Sequence, residues 1–120
     1  MSRRWLLDTN VVSEVLKPLP NQRVLAALRE HVGVAAIASV TWHELLYGVA
    51  RLPGGRRKDR LAAGLEKLVT EGPLDVLPYD RAASQWHAAE RARLAGSGTT
   101  APFADGQIAA VAATHGLTLV

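Results

Sequence analysis

The sequence predicts an α/β fold, with a largely parallel sheet of four strands flanked by helices. Short apolar runs alternate with segments in which apolar residues recur at helical spacing, an order typical of parallel sheets with helical crossovers. The 120 residues match the usual size of one domain, so we expect a single domain over 1–120. The 48% apolar content excludes a disordered chain, and the absence of cysteine excludes disulfides and thiolate chemistry.

Four short apolar runs are predicted as strands, at 5–7, 34–37, 76–77 and 117–120. No segment approaches the roughly 20 apolar residues of a membrane span, and the first residues lack the apolar core of a signal peptide. We therefore expect a cytoplasmic protein with no membrane contact.

Six helices are predicted between and after these strands. Five are at 11–17, 22–30, 57–69, 81–95 and 102–115, and the third in chain order follows a cap at Ser39 or Thr41 and runs to 51. The residues with N-cap chemistry near their starts are Asp8, Asn21, Ser39 or Thr41, and Asp80. Gly116 follows the last helix, in the place where glycine commonly ends one.

Asp8 directly follows the first predicted strand. Ligands of open parallel sheets gather at the carboxyl ends of the strands, so this carboxylate is a candidate metal ligand. Asn10, two residues on, projects to the same side of an extended segment and could support it. The competing interpretation is that Asp8 only caps the first helix.

Glu44 lies in the third predicted helix, where a helical projection groups it with Thr41 and Gly48. The neighbouring apolar arc contains Trp42, Leu45, Leu46 and Val49. A surface glutamate beside such an arc is common, which is the competing interpretation. Glycine costs about 1 kcal/mol relative to alanine inside a helix, so Gly48 indicates a close approach to another group.

Asp105 falls on the predicted inward stripe of the last helix. The other members of this stripe are Ile108, Ala109 and Ala112. An inward carboxylate needs a charge partner, although a favourable contact with the helix dipole is the competing interpretation. One bound cation would satisfy Asp105, Asp8 and Glu44 together. Oxygen ligands without cysteine or paired histidine indicate Mg²⁺ or Mn²⁺.

The remaining chemistry-bearing residues are less specific. The histidines His31, His43, His87 and His115 are isolated in the sequence, and we interpret them as surface or packing residues. The net charge is +3, and one basic cluster occupies 56–60. Such a cluster favours a polyanionic partner, but a solvated loop explains it equally well.

Three segments resemble the motifs of PIN-domain nucleases, in particular the VapC and FitB-like toxins of bacterial toxin–antitoxin pairs. The segment LLDTNVVSE at 6–14 resembles the family's opening, SVTWHELLYG at 39–48 its second motif, and PFADGQIAA at 102–110 its third. They occur in the family's order and at similar spacing, so the match spans essentially the whole chain. Each segment is weak alone, whereas the ordered set is specific.

The resemblance implies a PIN-like sheet, of five strands in the family, and a Mg²⁺- or Mn²⁺-dependent endoribonuclease that cleaves RNA with a metal-activated water. It implies catalytic, metal-binding roles for Asp8, Glu44 and Asp105. The supporting polar residues would be Thr9, Asn10 and Thr41, and the residues that position the RNA backbone would be Arg56, Arg57 and Lys58.

The same resemblance implies partners. They are a VapB-like antitoxin whose C-terminal segment blocks the active site, a second copy in a homodimer, and promoter DNA bound only through the antitoxin complex. The family usually has a further Asp or Asn after the fourth strand and then a last edge strand, which we expect this chain, ending at Val120, to lack.

Two alternatives follow. One is a catalytically impaired interaction module that binds antitoxin or RNA without cleavage. The other is a phosphatase-like enzyme, although Asn10 stands where such enzymes usually carry a second aspartate.

Overall fold

The computed structural model describes residues 5–30, 35–72 and 74–120, and the strands and helices in these ranges alternate as the sequence predicts. In chain order they are β1 (Trp5–Leu6), α1 (Thr9–Val15), α2 (Gln22–Glu30), β2 (Ala35–Ala38), α3 (Ser39–Ala50), α4 (Arg56–Thr70), β3 (Asp75–Leu77), α5 (Arg81–Gly96), α6 (Phe103–Thr114) and β4 (Thr118–Leu119). No helix in these ranges is both long and apolar enough to cross a membrane.

The four strands form one parallel sheet in the order β3-β2-β1-β4. The chain moves outward from β1 through β2 to β3 and then returns to the other side of β1 with β4. Leu6 pairs with Ala36 on one side and with Leu119 on the other. The strand order therefore reverses between β1 and β4, and ligands of such sheets bind outside the carboxyl ends of the strands at this switch point.

Both faces of the sheet are buried, which explains the nearly continuous apolar composition of its strands. Along β2, Ala36 and Ala38 pack with α5 and α6, whereas Ala35 and Ile37 pack with α1, α3 and α4. The predicted α/β architecture, with helices flanking a parallel sheet, is confirmed.

Three predicted helix ends are confirmed by their hydrogen bonds. The Asn21 side chain accepts from two backbone amides of α2, at 2.9 and 3.2 Å, and Asp80 accepts from a backbone amide of α5 at 3.0 Å. Gly116 has a φ of 64°, and the Leu117 amide donates to the Ala112 carbonyl at 2.8 Å. This bond and the left-handed glycine together form a Schellman motif at the end of α6.

The predicted cap of α3 is wrong. Ala38 occupies the N-cap position, and no side chain caps the helix there. The Ser39 hydroxyl instead accepts a hydrogen bond from the Tyr79 amide at 3.2 Å, and Thr41 is fully buried. A partner distant in sequence has therefore replaced the local bond that the N-cap pattern predicts.

Several predicted boundaries also differ. The first helix is Thr9–Val15, so it begins and ends two residues earlier than predicted. The first and last strands are shorter than predicted, and the second extends to Ala38. The predicted start of the second strand, Val34, lies outside the described residues, as does His31.

Candidate active site

Asp8 lies at the carboxyl end of β1, at the switch point of the sheet. Its amide donates to the Val120 carbonyl at 2.8 Å, and its side chain is half-buried. It occupies the N-cap position of α1, yet its carboxylate makes no capping hydrogen bond, in contrast to the carboxylate of Asp80. Local helix capping therefore does not account for an acidic side chain at this position.

Glu44 faces a groove of about 330 Å³ between α1, α3 and α4. Thr9, the residue after Asp8, lines the same groove, and so do Arg57 and Arg60. This arrangement places one carboxylate and two guanidinium groups along one surface, beside the carboxyl edge of the sheet.

The faces of α3 differ in part from the helical projection. Thr41, predicted beside Glu44, is fully buried, and Leu46 is 43% exposed although it was assigned to the apolar arc. Apart from the two adjacent residues and the backbone of α3 itself, no described residue has an atom within 4 Å of the position that a Cβ at Gly48 would take. The predicted close approach at Gly48 is therefore wrong, and this glycine lines the open groove instead.

Asp105 is exposed, so its predicted inward orientation is wrong. Ile108 and Ala112 of the same stripe are buried as predicted, and Ala109 is half-buried. The first turn of α6 lies at the rim of the core, where residues 101–103 are exposed as well. Asp105 lines a second cavity, of about 570 Å³, between α5 and α6.

The three carboxylates have no partner among the described residues, and they do not form one cluster. Within 5–30, 35–72 and 74–120, the side chains of Asp8, Glu44 and Asp105 form no hydrogen bond or ion pair. No group of three acidic or histidine side chains in these ranges is placed to hold a metal ion. The donors fit a hard divalent cation in their chemistry, but they do not fit it as a preassembled set of three.

The predicted supporting residues have different environments. Thr9 is half-buried and lines the groove, whereas Asn10 is exposed. Thr41 is fully buried, and its hydroxyl has no hydrogen-bond partner within the described part of the chain. Lys58 donates to the Ala50 carbonyl at 3.3 Å, so this ammonium already has a partner.

The sequence did not predict three residues that line these two cavities, namely Arg60, His87 and Gly106. Arg60 lines the groove with Arg57, and their spacing of three on one helix is a signal that could have found it. His87 and Gly106 line the cavity of Asp105. His87 has no sequence signal, because only the packing of α5 on α6 brings it there.

Comparison with known proteins finds relatives of similar sequence and similar fold. The family model for the PIN domain matches residues 5–120. Toxin FitB of Neisseria gonorrhoeae is 39% identical over 118 residues, which cover 95% of this chain and 84% of that protein. VapC ribonuclease Y4jK of Sinorhizobium fredii is 37% identical over 113 residues, covering 92% and 81%.

A solved structure of similar fold is the DNA-bound VapBC of Salmonella typhimurium. Its TM-score is 0.84 at 29% identity, and the match covers 98% of this chain and 84% of that one. The family match extends from β1 to β4 and includes all three motif segments. The chain belongs to the PIN domain family.

Proposed function

We propose that this protein is a Mg²⁺- or Mn²⁺-dependent endoribonuclease and the toxin of a toxin–antitoxin pair. The observation that carries the proposal is the half-buried Asp8 carboxylate, which has no partner among the described residues although it lies at the switch point of the sheet. Burying a charge without a partner is costly, so a cation at this position would stabilise the side chain. The names of two relatives, toxin FitB and a VapC ribonuclease, support the same function.

The proposed metal-binding residues are Asp8, Glu44 and Asp105, because carboxylate oxygens are the ligands that these ions prefer. Glu44 and Asp105 are exposed, so both carboxylates are accessible to an ion and to a substrate. A bound divalent ion supplies a Lewis acid for the phosphodiester and lowers the pKa of an attacking water.

The RNA backbone is proposed to contact the basic side of the groove. Arg57 and Arg60 line it together with Glu44, so an RNA strand held there would pass close to a candidate catalytic carboxylate. The basic residues in the first turns of α4 lie near the positive end of the helix dipole, where cations are unfavourable. A polyanion bound along this surface would relieve that repulsion.

The same groove is the proposed contact site of a VapB-like antitoxin. Its apolar lining includes Leu45, Leu61 and Leu65, and its basic side suits an acidic or amphipathic segment. A relative of known structure is a VapBC complex bound to DNA, which supports an antitoxin partner and an indirect contact with promoter DNA. A homodimer is proposed on the family resemblance alone.

The proposal is tested by incubating the purified protein with a pool of total RNA while Mg²⁺ and Mn²⁺ are titrated, with EDTA as a control. Asp105→Asn is compared with Asp59→Asn, because both residues are exposed acids in the first turn of a helix. Each variant loses the same kind of dipole interaction. We expect discrete metal-dependent fragments from the wild type and Asp59→Asn, and none from Asp105→Asn.

The alternative function is an interaction module that binds antitoxin or RNA without cutting it. The absence of a gathered three-ligand set among the described residues favours this alternative. Antitoxin binding by a folded protein that cleaves nothing at saturating Mn²⁺ would establish it and contradict the nuclease proposal.

A further inference from the structure

A buried histidine lies against the turn of α6 that carries Asp105. His87 of α5 is 3% exposed, and its Nδ1 is hydrogen-bonded to the Tyr79 hydroxyl at 2.8 Å. The Phe103 ring packs on the imidazole, with ring centroids 4.9 Å apart. A Cβ on Gly106 would overlap the same imidazole, so the α6 backbone and the ring are in direct contact. The imidazole therefore limits how closely the first turn of α6 can approach α5.

Tyr79 also contacts the start of α3. Its backbone amide donates to the Ser39 hydroxyl at 3.2 Å, and Ser39 is the first residue of α3, the helix that carries Glu44. Tyr79 lies in the connection between β3 and α5, so it belongs to neither of the helices that it joins. A continuous series of contacts thus runs from the first turn of α3, through Tyr79 and His87, to the first turn of α6.

We propose that Tyr79 and His87 are positioning residues, which fix the first turn of α6, with Asp105, relative to the start of α3, the helix that carries Glu44 in its second turn. The link to catalysis rests on the proposed function, whereas the mechanical link does not. Neither residue touches a reacting atom in this proposal, because both act through the helices that they hold.

The placement of the two carboxylates depends on the helices that carry them. Glu44 and Asp105 have no hydrogen bond or ion pair within the described ranges, so no local contact fixes their mutual placement. Functional side chains are placed accurately when the elements that carry them are rigid and held by a supporting shell of packing and hydrogen bonds. The buried imidazole, held by the Tyr79 hydroxyl, supplies that shell at the start of α6, and the Tyr79 backbone amide supplies it at the start of α3.

The test removes one oxygen. Tyr79→Phe deletes the hydroxyl and keeps the ring, which packs edge-on against His87. Tyr47→Phe is the matched control, because Tyr47 is the other tyrosine of the chain and is 58% exposed. Both variants and the wild type are compared by amide hydrogen exchange in the absence of metal.

The reporter is the Gly106 amide, which donates to the Pro102 carbonyl at 3.1 Å in the first turn of α6. We expect its exchange to be about fivefold faster in Tyr79→Phe, the factor for one lost net hydrogen bond, and unchanged in Tyr47→Phe. The Asp59 amide, which donates to Gly55 at 3.1 Å in the first turn of α4, is the reference that should not change.

A second readout is RNA cleavage, where Tyr79→Phe is expected to lower kcat several-fold and leave KM unchanged. Unchanged exchange at Gly106 overturns the proposal, and so does an equal acceleration at Asp59, because that result would mean a general loss of stability. Altered exchange with wild-type kcat would overturn the link to catalysis. If the wild-type protein cleaves no RNA, the proposed function fails, and the exchange data still decide whether the pair positions α6.

Discussion

Gly106→Ala is expected to destabilise the protein, although alanine normally favours a helix over glycine. The added methyl group would overlap Nε2 of His87 and would lie 2.9 Å from Cδ2 and 3.1 Å from Cε1, which is too close without movement. Overpacking of this kind costs about 1–3 kcal/mol, whereas the gain in helix propensity is about 1 kcal/mol. Because the ring is buried and hydrogen-bonded to Tyr79, it cannot easily yield, so we expect the upper part of this cost, about 2–3 kcal/mol. The net loss is then about 1–2 kcal/mol.

The assay is urea denaturation of Gly106→Ala alone and in a His87→Ala background. Without the imidazole, the same substitution should stabilise the protein by up to about 1 kcal/mol, so the coupling between the two sites should reach about 2–3 kcal/mol. Gly48→Ala is the control, because no described atom outside the adjacent residues and the backbone of α3 lies within 4 Å of its Cβ position. It should stabilise the protein in either background. Equal stabilisation by Gly106→Ala in both backgrounds would refute the packing of His87 on α6.

Three further predictions concern capping, RNA binding and pH. Asp80→Ala should lower the free energy of unfolding by about 1 kcal/mol, because it removes a helix-capping hydrogen bond. Asp8→Ala should lower it clearly less, because the Asp8 carboxylate makes no such bond. Equal losses in urea denaturation would contradict this. Arg57→Ala should raise KM for RNA and leave kcat unchanged, and the slope of the logarithm of the binding constant against the logarithm of salt concentration should become smaller by about 1. A change in kcat alone would contradict a phosphate contact by Arg57. The hydrogen bond from Lys17 lowers the pKa of the Glu14 carboxyl from 4.5. This exposed pair should therefore stabilise the fold above that value and lose its effect as the pH falls through the lowered pKa, so Glu14→Gln and wild-type melting temperatures should converge in acid.

Local patterns predicted the secondary structure well, because their physical causes are local. Asn21 and Asp80 cap helices through their own side chains, and Gly116 supplies the positive φ that ends α6. Ser39 shows the limit of such patterns. Its hydroxyl accepts a hydrogen bond from the Tyr79 amide, forty positions away in the sequence, and no residue near Ser39 predicts that partner.

The sequence pointed to candidate site residues, but it did not predict how the fold arranges them. Asp105 shares the spacing of a buried stripe, yet the stripe leaves the core at the first turn of α6, and periodicity alone cannot show where a core ends. His87 was interpreted as a surface or packing residue, and it does pack, but on the turn that carries Asp105. That contact depends on how α5 and α6 dock.

The sequence by itself determined the class of fold, the order of its elements and the three motif segments that place the chain in its family. Each of these depends on residues close together in the chain, whose spacing is visible in one dimension. Only the tertiary structure decided that β4 lies beside β1 and so puts Asp8 at the switch point. It also decided that Glu44 and Asp105 face separate cavities. Strand order and helix docking arise from burial of both sheet faces at once, and no local pattern specifies which distant segment completes each face.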